Sequence, residues 1–414
     1  MKRLVLLVFH FSFCFFHSSQ VFAQQNNVFC ENVRSLQVMI DGDPLAPPIV
    51  DLGKRQELSI EFDEMSHDYH RLVYHIQHCN ADWTETEGLF ESDFLSGFND
   101  QPIEDYEKSF NTTKLYTHYR FTLPNDETQL LLSGNYRITI YEDDDRDSPL
   151  VQAEFCIAES SVMSIMAEIS GNTDIDFNQE HQQLSYQISY GKHRVIDPLR
   201  EIHTVVMQNR RADNRVVDLE PNIQHANGIG FTHQNKLIFP AGNEFHKFEI
   251  LDVQKPGLNV DNMRWYEPYY HATLYADKAA RNYEYNEDQN GAFVMRNDDG
   301  NNETESEYIW VHFTFMPKEG KEYTNNEVYV WGQWSNGPHD PSCRMQWNPE
   351  NKAYEASVFL KQGYYNYMYL LDNGKNIDGN FHETENEYII LVYHRPQGGR
   401  YDKLAGYRVM RTAN

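Results

Sequence analysis

Short runs of alternating apolar and polar residues recur along this chain and are separated by turn residues. Ser35 to Ile40 runs into the turn Asp41-Gly42, and Leu58 to Phe62 alternates in the same way. Alternation with period two places apolar side chains on one face of a β-strand, and Gly, Asn, Asp and Pro favour the turns between strands. No heptad or amphipathic helical stretch interrupts the pattern. The sequence therefore predicts an all-β fold of tandem immunoglobulin-like or early-set β-sandwich domains.

The chain is too long for one sandwich, because its 414 residues exceed what a single hydrophobic core usually organises. The polar stretch 296–307, which contains NDDGNNETE, is interpreted as a linker and a hinge. We expect the sandwiches to form an elongated row along the chain. The predicted regions are a signal peptide at 1–23, a first β-sandwich at 24–160, a second β-sandwich with the linker at 161–300, and a C-terminal early-set-like β-sandwich at 301–414.

The N-terminus and the charge predict a secreted protein. Lys2 and Arg3 precede an apolar run, and Val21-Phe22-Ala23 ends in a small residue, which together indicate a secretory signal peptide cleaved after Ala23. Acidic residues outnumber basic ones 62 to 35, and the formal net charge is -27. Such a charge argues against binding to nucleic acid or to anionic lipid. We expect no nucleic-acid partner and no membrane insertion.

Four cysteines follow the predicted signal peptide: Cys30, Cys79, Cys156 and Cys343. An oxidising compartment permits disulfides, but these cysteines are distributed unevenly over the predicted domains. We expect buried free thiols, and one bridge near Cys79 or Cys156 remains an alternative.

The sequence offers little for chemistry. His75, His78, Cys79 and Asp82 are metal-ligand types, but on a strand His75 and Cys79 face one way and His78 the other. A structural role is therefore favoured for this group. The nucleophile-elbow motif G-x-S-x-G and the zinc-binding motif H-E-x-x-H do not occur in the sequence. We expect no enzyme activity, no metal and no cofactor.

Several strings resemble, in order, the first-domain signature of the type IX secretion system plug protein family of Bacteroidota. These strings are YHIQHCNADW at 74–83, DYEKSFNT at 105–112, YTHY at 116–119 and SGNY at 133–136, and FPAGNEF at 239–245 and KQGYYNY at 361–367 continue the likeness. The signature residues, interpreted as structural, are Cys79, Asn80, Asp82, Trp83, Tyr106, Phe110, Asn111, Thr112, Tyr116, His118, Tyr119, Gly134 and Tyr136. Within the motif we expect Cys79 to be buried, Asn80 and Asp82 to satisfy turn amides, and Trp83 to fill the end of the sandwich.

The resemblance implies a role as well as a fold. Members of this family are periplasmic β-sandwich proteins that associate with the giant outer-membrane β-barrel translocon. They close its periplasmic opening when no substrate is passing. The resemblance thus implies a periplasmic protein that associates with the outer membrane through the translocon, as a monomer within a hetero-complex. It carries over no catalytic or binding residue.

The C-terminal region supports one rival interpretation. The string VYVWGQWSN at 328–336 resembles glycogen-binding and early-set immunoglobulin-like modules, which stack sugars on exposed tryptophan rings. A carbohydrate-binding secreted protein is therefore the alternative, with Trp331, Trp334 and Trp347 as its platform. The same motif also supplies core aromatic residues in such folds, so the burial of these rings discriminates between the two interpretations.

Overall fold

The computed structural model describes residues 26–412, apart from residues 144 and 299. Its regular structure is almost entirely β, with one-turn α-helices α1 (Glu91–Phe94) and α2 (Pro198–Glu201) and 3-10 turns at Asn235–Leu237 and Pro341–Cys343. The prediction of an all-β sandwich protein is confirmed. Within the described residues, no helix is both long and apolar enough to cross a membrane. The predicted signal peptide lies outside the described residues.

The first sandwich comprises the strands before residue 159. They are β1 (Asn27–Val28), β2 (Val33–Ile40), β3 (Ile49–Asp51), β4 (Leu58–Glu64), β5 (Leu72–Cys79), β6 (Leu95–Gly97), β7 (Gln101–Pro102), β8 (Asp105–Lys108), β9 (Thr117–Leu123), β10 (Thr128–Leu130), β11 (Gly134–Glu142) and β12 (Val151–Ala158). One sheet has the order β2-β4-β9-β8, and the facing strands have the order β12-β11-β5-β7. Period-two alternation brings Ile60 and Phe62 of β4 into one core with Ile138 and Phe155.

The next strands begin a second sandwich. They are β13 (Ser164–Ser170), β14 (His181–Ser189), β15 (Ile202–Gln208), β16 (Val216–Val217), β17 (Ile223–His225), β18 (Gly228–Phe231) and β19 (Ile238–Pro240). β13, β14, β18 and β17 form one sheet, and β19 also pairs with β14. β15 and β16 belong to a different, ten-stranded sheet that also contains the β12 side of the first sandwich.

The third sandwich follows the chain through residue 371. Its strands are β20 (His246–Ile250), β21 (Val260–Tyr266), β22 (Tyr269–Leu274), β23 (Asp277–Lys278), β24 (Phe293–Met295), β25 (Tyr308–Met316), β26 (Val328–Trp331), β27 (Arg344–Asn348), β28 (Ala353–Lys361) and β29 (Gly363–Leu371). They form one curved sheet whose central order is β20-β29-β26-β27-β28-β25-β22-β21. Aromatic residues of β29, including Tyr365, Tyr367 and Tyr369, pack in its core with Phe313.

The last two strands return to the second sandwich. β30 (Glu387–His394) pairs with β15, and β31 (Lys403–Arg411) pairs with β30 and, through Ala158 and Leu404, with β12. β30 thereby joins the core that contains Tyr186 and Phe231. The ten-stranded sheet thus runs without a break from the second sandwich into the first.

The predicted division at 161–300 and 301–414 differs from this arrangement. β20 to β24 precede residue 301 but belong to the third sandwich, whereas β30 and β31 belong to the second. Alternation within a strand reveals which face is buried, but it does not reveal which strand pairs with it. The predicted division therefore assigns each strand to the sandwich of its neighbours in sequence, whereas these strands pair with strands far away in sequence.

The expected row of domains with a hinge is also wrong, because every sandwich contacts the other two. Lys361 of β28 bonds to Asp63 of β4 at 2.7 Å, and Arg211 of the second sandwich donates to the carbonyl of Gly374, in the turn that follows β29 of the third, at 2.7 Å. The described residues of segment 296–307 pack on the first sandwich, where the Phe110 amide donates to the Thr304 carbonyl. The three sandwiches therefore form an interlocked body.

Candidate functional site

The family-like residues divide between two junctions of the first sandwich. The first group lies where β5 ends and β11 begins, beside the connection between β30 and β31. There the Ala81 amide donates to Asp402 at 2.9 Å, and Arg395 donates to the side-chain oxygen of Asn80 at 2.5 Å. Trp83 is 2% exposed and packs with apolar residues of the first and second sandwiches. This end of the first sandwich is thus filled by Trp83, as expected, and is bonded to the C-terminal strands.

Gly134 allows that close approach. Its φ is +137°, and a Cβ at this position would lie 2.5 Å from His78 Nε2 and 3.0 Å from the Asp402 carbonyl oxygen. Any larger residue would therefore push the β30–β31 connection away from β5 and β11. Tyr136, two residues later, is fully buried and donates to the Leu132 carbonyl at 2.8 Å.

The polar residues of the motif do not converge on a site. His75 pairs with Asp100, whereas His78 bonds to Thr86 and to the Ser133 carbonyl. Asp82 accepts from the Thr84 amide at 3.0 Å and so satisfies a turn, as expected. The Asn80 side chain does not; its oxygen accepts from the Thr86 hydroxyl and from Arg395 instead.

The four cysteines among the described residues are free thiols. Cys79, Cys156 and Cys343 are buried and Cys30 is half-buried, so the expectation of buried free cysteines is confirmed for three of the four. Burial raises the pKa of Cys79 to about 12 and raises the pKa of the Cys156 and Cys343 thiols above their usual range. These three thiols are packing residues rather than reactive ones.

The second group of family-like residues meets the third sandwich. Tyr116 is fully buried and donates to the Ser306 carbonyl at 3.0 Å, and Asn111 donates to Glu305 at 3.4 Å. The Thr112 hydroxyl donates to the Lys114 carbonyl and so shapes the loop between β8 and β9. Two tyrosines link the edge strand β8 to its neighbour β9: the Tyr106 ring lies 5.9 Å from the Tyr119 ring, and the Tyr119 hydroxyl donates to the His70 carbonyl.

A buried ion pair crosses this junction. Asp63 Oδ2 lies 2.7 Å from Lys361 Nζ and 2.6 Å from the Tyr308 hydroxyl, and the side chains of both charged residues are at most 1% exposed. Lys361 Nζ also lies 4.4 Å from the ring centroid of Tyr116. Burial opposes ionisation of Asp63, but Lys361 and the hydrogen bond from His118 keep its pKa below its usual value. Loss of either Asp63 or Lys361 would therefore leave the other charge buried without its partner.

His118 lies beside that pair and faces two more carboxylates. Its Nδ1 is 2.8 Å from Asp63 Oδ1, and its Nε2 is 3.9 Å from both Glu61 Oε2 and Glu303 Oε2. Nε2 is buried and has no hydrogen-bond partner. Sequence reasoning singled out His118 only as a structural residue and missed Glu61 and Glu303, because Glu303 comes from the segment interpreted as a linker.

An exposed aromatic loop lies on the first sandwich. Phe90 and Phe98 are 76% and 75% exposed, and they flank α1 and β6. Asn99 holds the loop through two hydrogen bonds, of 2.7 and 3.0 Å, to the Ile76 backbone, and its amide donates to Glu91 at 3.0 Å. The two rings are therefore presented to solvent on a fixed backbone. We define residues 88–99 as the aromatic loop.

Residues 33–159 match the family model described as the first domain of the Type 9 secretion system plug protein. Residues 33–159 are therefore a first domain of the type IX secretion system plug protein family. The matched region contains both groups of family-like residues and the aromatic loop. Membership associates the chain with type IX secretion and with the cell envelope.

A solved structure extends the likeness beyond the first domain. The crystal structure of a hypothetical protein from Parabacteroides merdae ATCC 43184 is 38% identical, with a TM-score of 0.89. The alignment covers 94% of this chain and all of that one. No curated protein matches the chain. The interlocked arrangement of this plug-family protein is thus shared by a relative over nearly the whole length.

The tryptophans of the rival interpretation do not form a platform in this plug-family protein. Trp331 is 4% exposed and packs with Phe245, and the Arg211 guanidinium lies 5.6 Å from the Trp331 ring. Trp334 donates its indole N–H to the Asn366 carbonyl at 2.8 Å, and Trp347 packs on Tyr354. The motif supplies packing residues here, and the exposed-platform prediction is wrong.

Proposed function

We propose that this protein is a periplasmic plug of the type IX secretion system, which binds the outer-membrane translocon and closes its periplasmic opening when no substrate is passing. The observation that carries the proposal is the family match over residues 33–159. The role is one of binding and steric closure rather than catalysis. A carbohydrate-binding role is not favoured, because Trp331 is buried and Trp334 and Trp347 are half-buried against the core of the third sandwich.

The architecture supports a rigid stopper. Closure of a wide channel against large solutes requires a body that does not open between its domains. The continuous ten-stranded sheet joins the first two sandwiches, and the Asp63–Lys361 pair joins the first and third. The family-like residues lie mainly at these contacts, which is what a requirement for rigidity would select.

We propose the aromatic loop as the main contact with the translocon. Exposed aromatic side chains on a fixed backbone lose little conformational entropy on binding, and such residues commonly dominate interface energies. Phe90 and Phe98 are the anchors in this proposal. Glu85 and Glu87 before the loop and Glu91 within it are exposed and acidic, so the partner surface should offer apolar pockets surrounded by basic groups.

Copurification tests the contact. The translocon is purified from the native host that expresses wild-type protein, the F90S/F98S variant or the control F177S, whose phenylalanine is 68% exposed on the second sandwich. We expect F90S/F98S to reduce the copurified amount at least tenfold with an unchanged melting temperature, and F177S to behave as wild type. Equal retention of both variants would place the contact elsewhere.

Closure is tested by permeability. Deletion of the gene should make the outer membrane leak a large antibiotic that is normally excluded, and the leak should disappear in a double deletion that also lacks the translocon barrel. Expression of the F90S/F98S variant in the single deletion strain should not abolish the leak. If the single deletion does not leak, or if the leak persists in the absence of the barrel, the stopper proposal fails and a scaffolding role becomes the better account.

A further inference from the structure

We propose that Glu61, His118 and Glu303 bind one zinc ion at the junction between the first sandwich and segment 296–307. The three potential ligand atoms all lie within 4.8 Å of one another. Two come from adjacent strands, β4 and β9, and the third comes from the segment that leads into β25. The inference does not depend on the plug role.

The unsatisfied nitrogen of His118 carries the argument. The residue is 3% exposed, and its Nε2 points between two carboxylate oxygens, each 3.9 Å away, without a hydrogen bond. A buried polar atom without a partner is costly, and the two carboxylate oxygens beside it repel one another. A cation among the three atoms removes both penalties.

Asp63 orients His118 for ligation. Asp63 accepts hydrogen bonds from Lys361 and Tyr308 and is thus an ionised acceptor, so the Nδ1 of His118, at 2.8 Å, donates to it. Nε2 is therefore the nitrogen left to ligate a cation. A histidine that donates its other ring nitrogen to a carboxylate is the usual arrangement of a zinc ligand.

The local charge also favours a cation. Glu61, Glu303 and Asp63 contribute three carboxylates, whereas Lys361 and Arg120 contribute two positive groups, and Arg120 is shared with Asp105. Arg120 bonds to Oε1 of Glu303 at 3.1 Å, which leaves Oε2 for the ion. With Asp105 included, four carboxylates face two cations, so a divalent ion would neutralise the cluster without displacing an existing bond.

The donor set favours zinc over magnesium and calcium. One imidazole with two carboxylates suits Zn²⁺, whereas Mg²⁺ and Ca²⁺ prefer oxygen ligands alone. Ligand atoms about 2 Å from a tetrahedral zinc are roughly 3.3 Å apart, so the distances from Nε2 must shorten by about 0.6 Å and the distance between the two carboxylate oxygens by up to about 1.5 Å. The Glu303 side chain is 33% exposed, which gives it freedom to move and leaves an open side for a water ligand. Bound zinc would clamp the first sandwich to the chain entering the third.

Zinc binding to the full mature chain tests the proposal. Chelator-treated protein is dialysed against Zn²⁺ and bound metal is counted by elemental analysis, for wild type, H118N, E303Q and E305Q. H118N keeps a donor toward Asp63 but removes the ligating nitrogen, and E303Q changes one charge on a partly exposed side chain. E305Q is the matched control, because Glu305 lies in the same segment and bonds only outside the cluster, to Asn111, Asn301 and its neighbours.

We expect wild type and E305Q to bind one zinc ion more per chain than H118N, and E303Q to bind that ion at least tenfold more weakly. Zinc should raise the melting temperature of wild type and E305Q but not of H118N. Cobalt should give wild type a visible d–d absorption that H118N lacks. Equal zinc counts for wild type and H118N, or an equal loss in E305Q, would overturn the assignment.

Discussion

The third sandwich meets its two neighbours through opposite kinds of buried charge. Toward the first sandwich it buries Lys361 against Asp63, two opposite charges 2.7 Å apart. Where the chain crosses from the second sandwich it buries two carboxyl groups, Glu244 and Asp288, which are 5% and 8% exposed. Burial, with smaller contributions from Glu244 and Glu385, raises the pKa of Asp288 to about 7. The junction with the first sandwich therefore depends on both Asp63 and Lys361 being charged. The junction with the second sandwich depends on the proton that Asp288 holds.

The largest expected effect is loss of one charge from the opposite-charge junction. K361M should lower the free energy of unfolding by about 3–5 kcal/mol, because it leaves Asp63 buried without its cation. Chelator-treated protein unfolded in urea provides the measurement. The double variant D63N/K361M should recover part of the loss, and K403M, at a lysine that is 36% exposed, should have little effect. A K361M loss no larger than that of K403M would show that the pair does not hold this junction.

The next effect concerns the carboxyl junction and depends on pH. The folded-state pKa of Asp288 is raised from 3.8 to about 7, so the folded protein keeps a proton that the unfolded chain releases. Its stabilising contribution is therefore complete below about pH 4 and is lost as pH rises through about 7. D288N should be more stable than wild type by roughly 2–4 kcal/mol at pH 8, and this advantage should shrink toward pH 5.

Urea unfolding of D288N and wild type across pH 5 to 8 checks this sign. The amide oxygen of the variant can still accept from the Asn290 amide, which donates to Asp288 at 2.7 Å. D126N, at an exposed aspartate, serves as the control. A D288N advantage that is independent of pH would mean that Asp288 is ionised throughout and that the two junctions do not differ in the way described.

The two junctions also mark where sequence reasoning stops. The alternating pattern predicts the strands, and the family-like strings correctly mark Cys79 and Trp83 as packed inside the molecule. Pairing between strands far apart in sequence, such as that of Ala158 with Leu404, cannot be read from the local sequence, because any apolar strand could occupy either position in the sheet. Lys361 and Glu303 look like surface residues in sequence, and only the fold brings them to Asp63 and His118.

A smaller effect is expected for the hydrogen bond that supports the opposite-charge junction. Y308F removes a hydroxyl that lies 2.6 Å from Asp63 and 2.6 Å from Ser35. A hydrogen bond to a charged group contributes more than a neutral one, so we expect a loss of about 1.5–3 kcal/mol. Y116F is the matched control, because its hydroxyl donates to the neutral Ser306 carbonyl and should contribute about 1 kcal/mol. Equal losses would indicate that the charge of Asp63 does not strengthen this contact.

The smallest effect should come from an ion pair of similar geometry on the surface. Arg400 lies 2.8 Å from Asp93, close to the 2.7 Å of Lys361 and Asp63, but its side chain is 54% exposed. Water and salt screen such a pair, so R400Q should change the free energy of unfolding by less than about 1 kcal/mol. The measurement is urea unfolding at low and high salt, and the small effect should vanish at high salt. Because the distances nearly match, the contrast with K361M isolates burial as the variable. An R400Q loss as large as that of K361M would mean that separation, rather than burial, governs the charged contacts between these sandwiches.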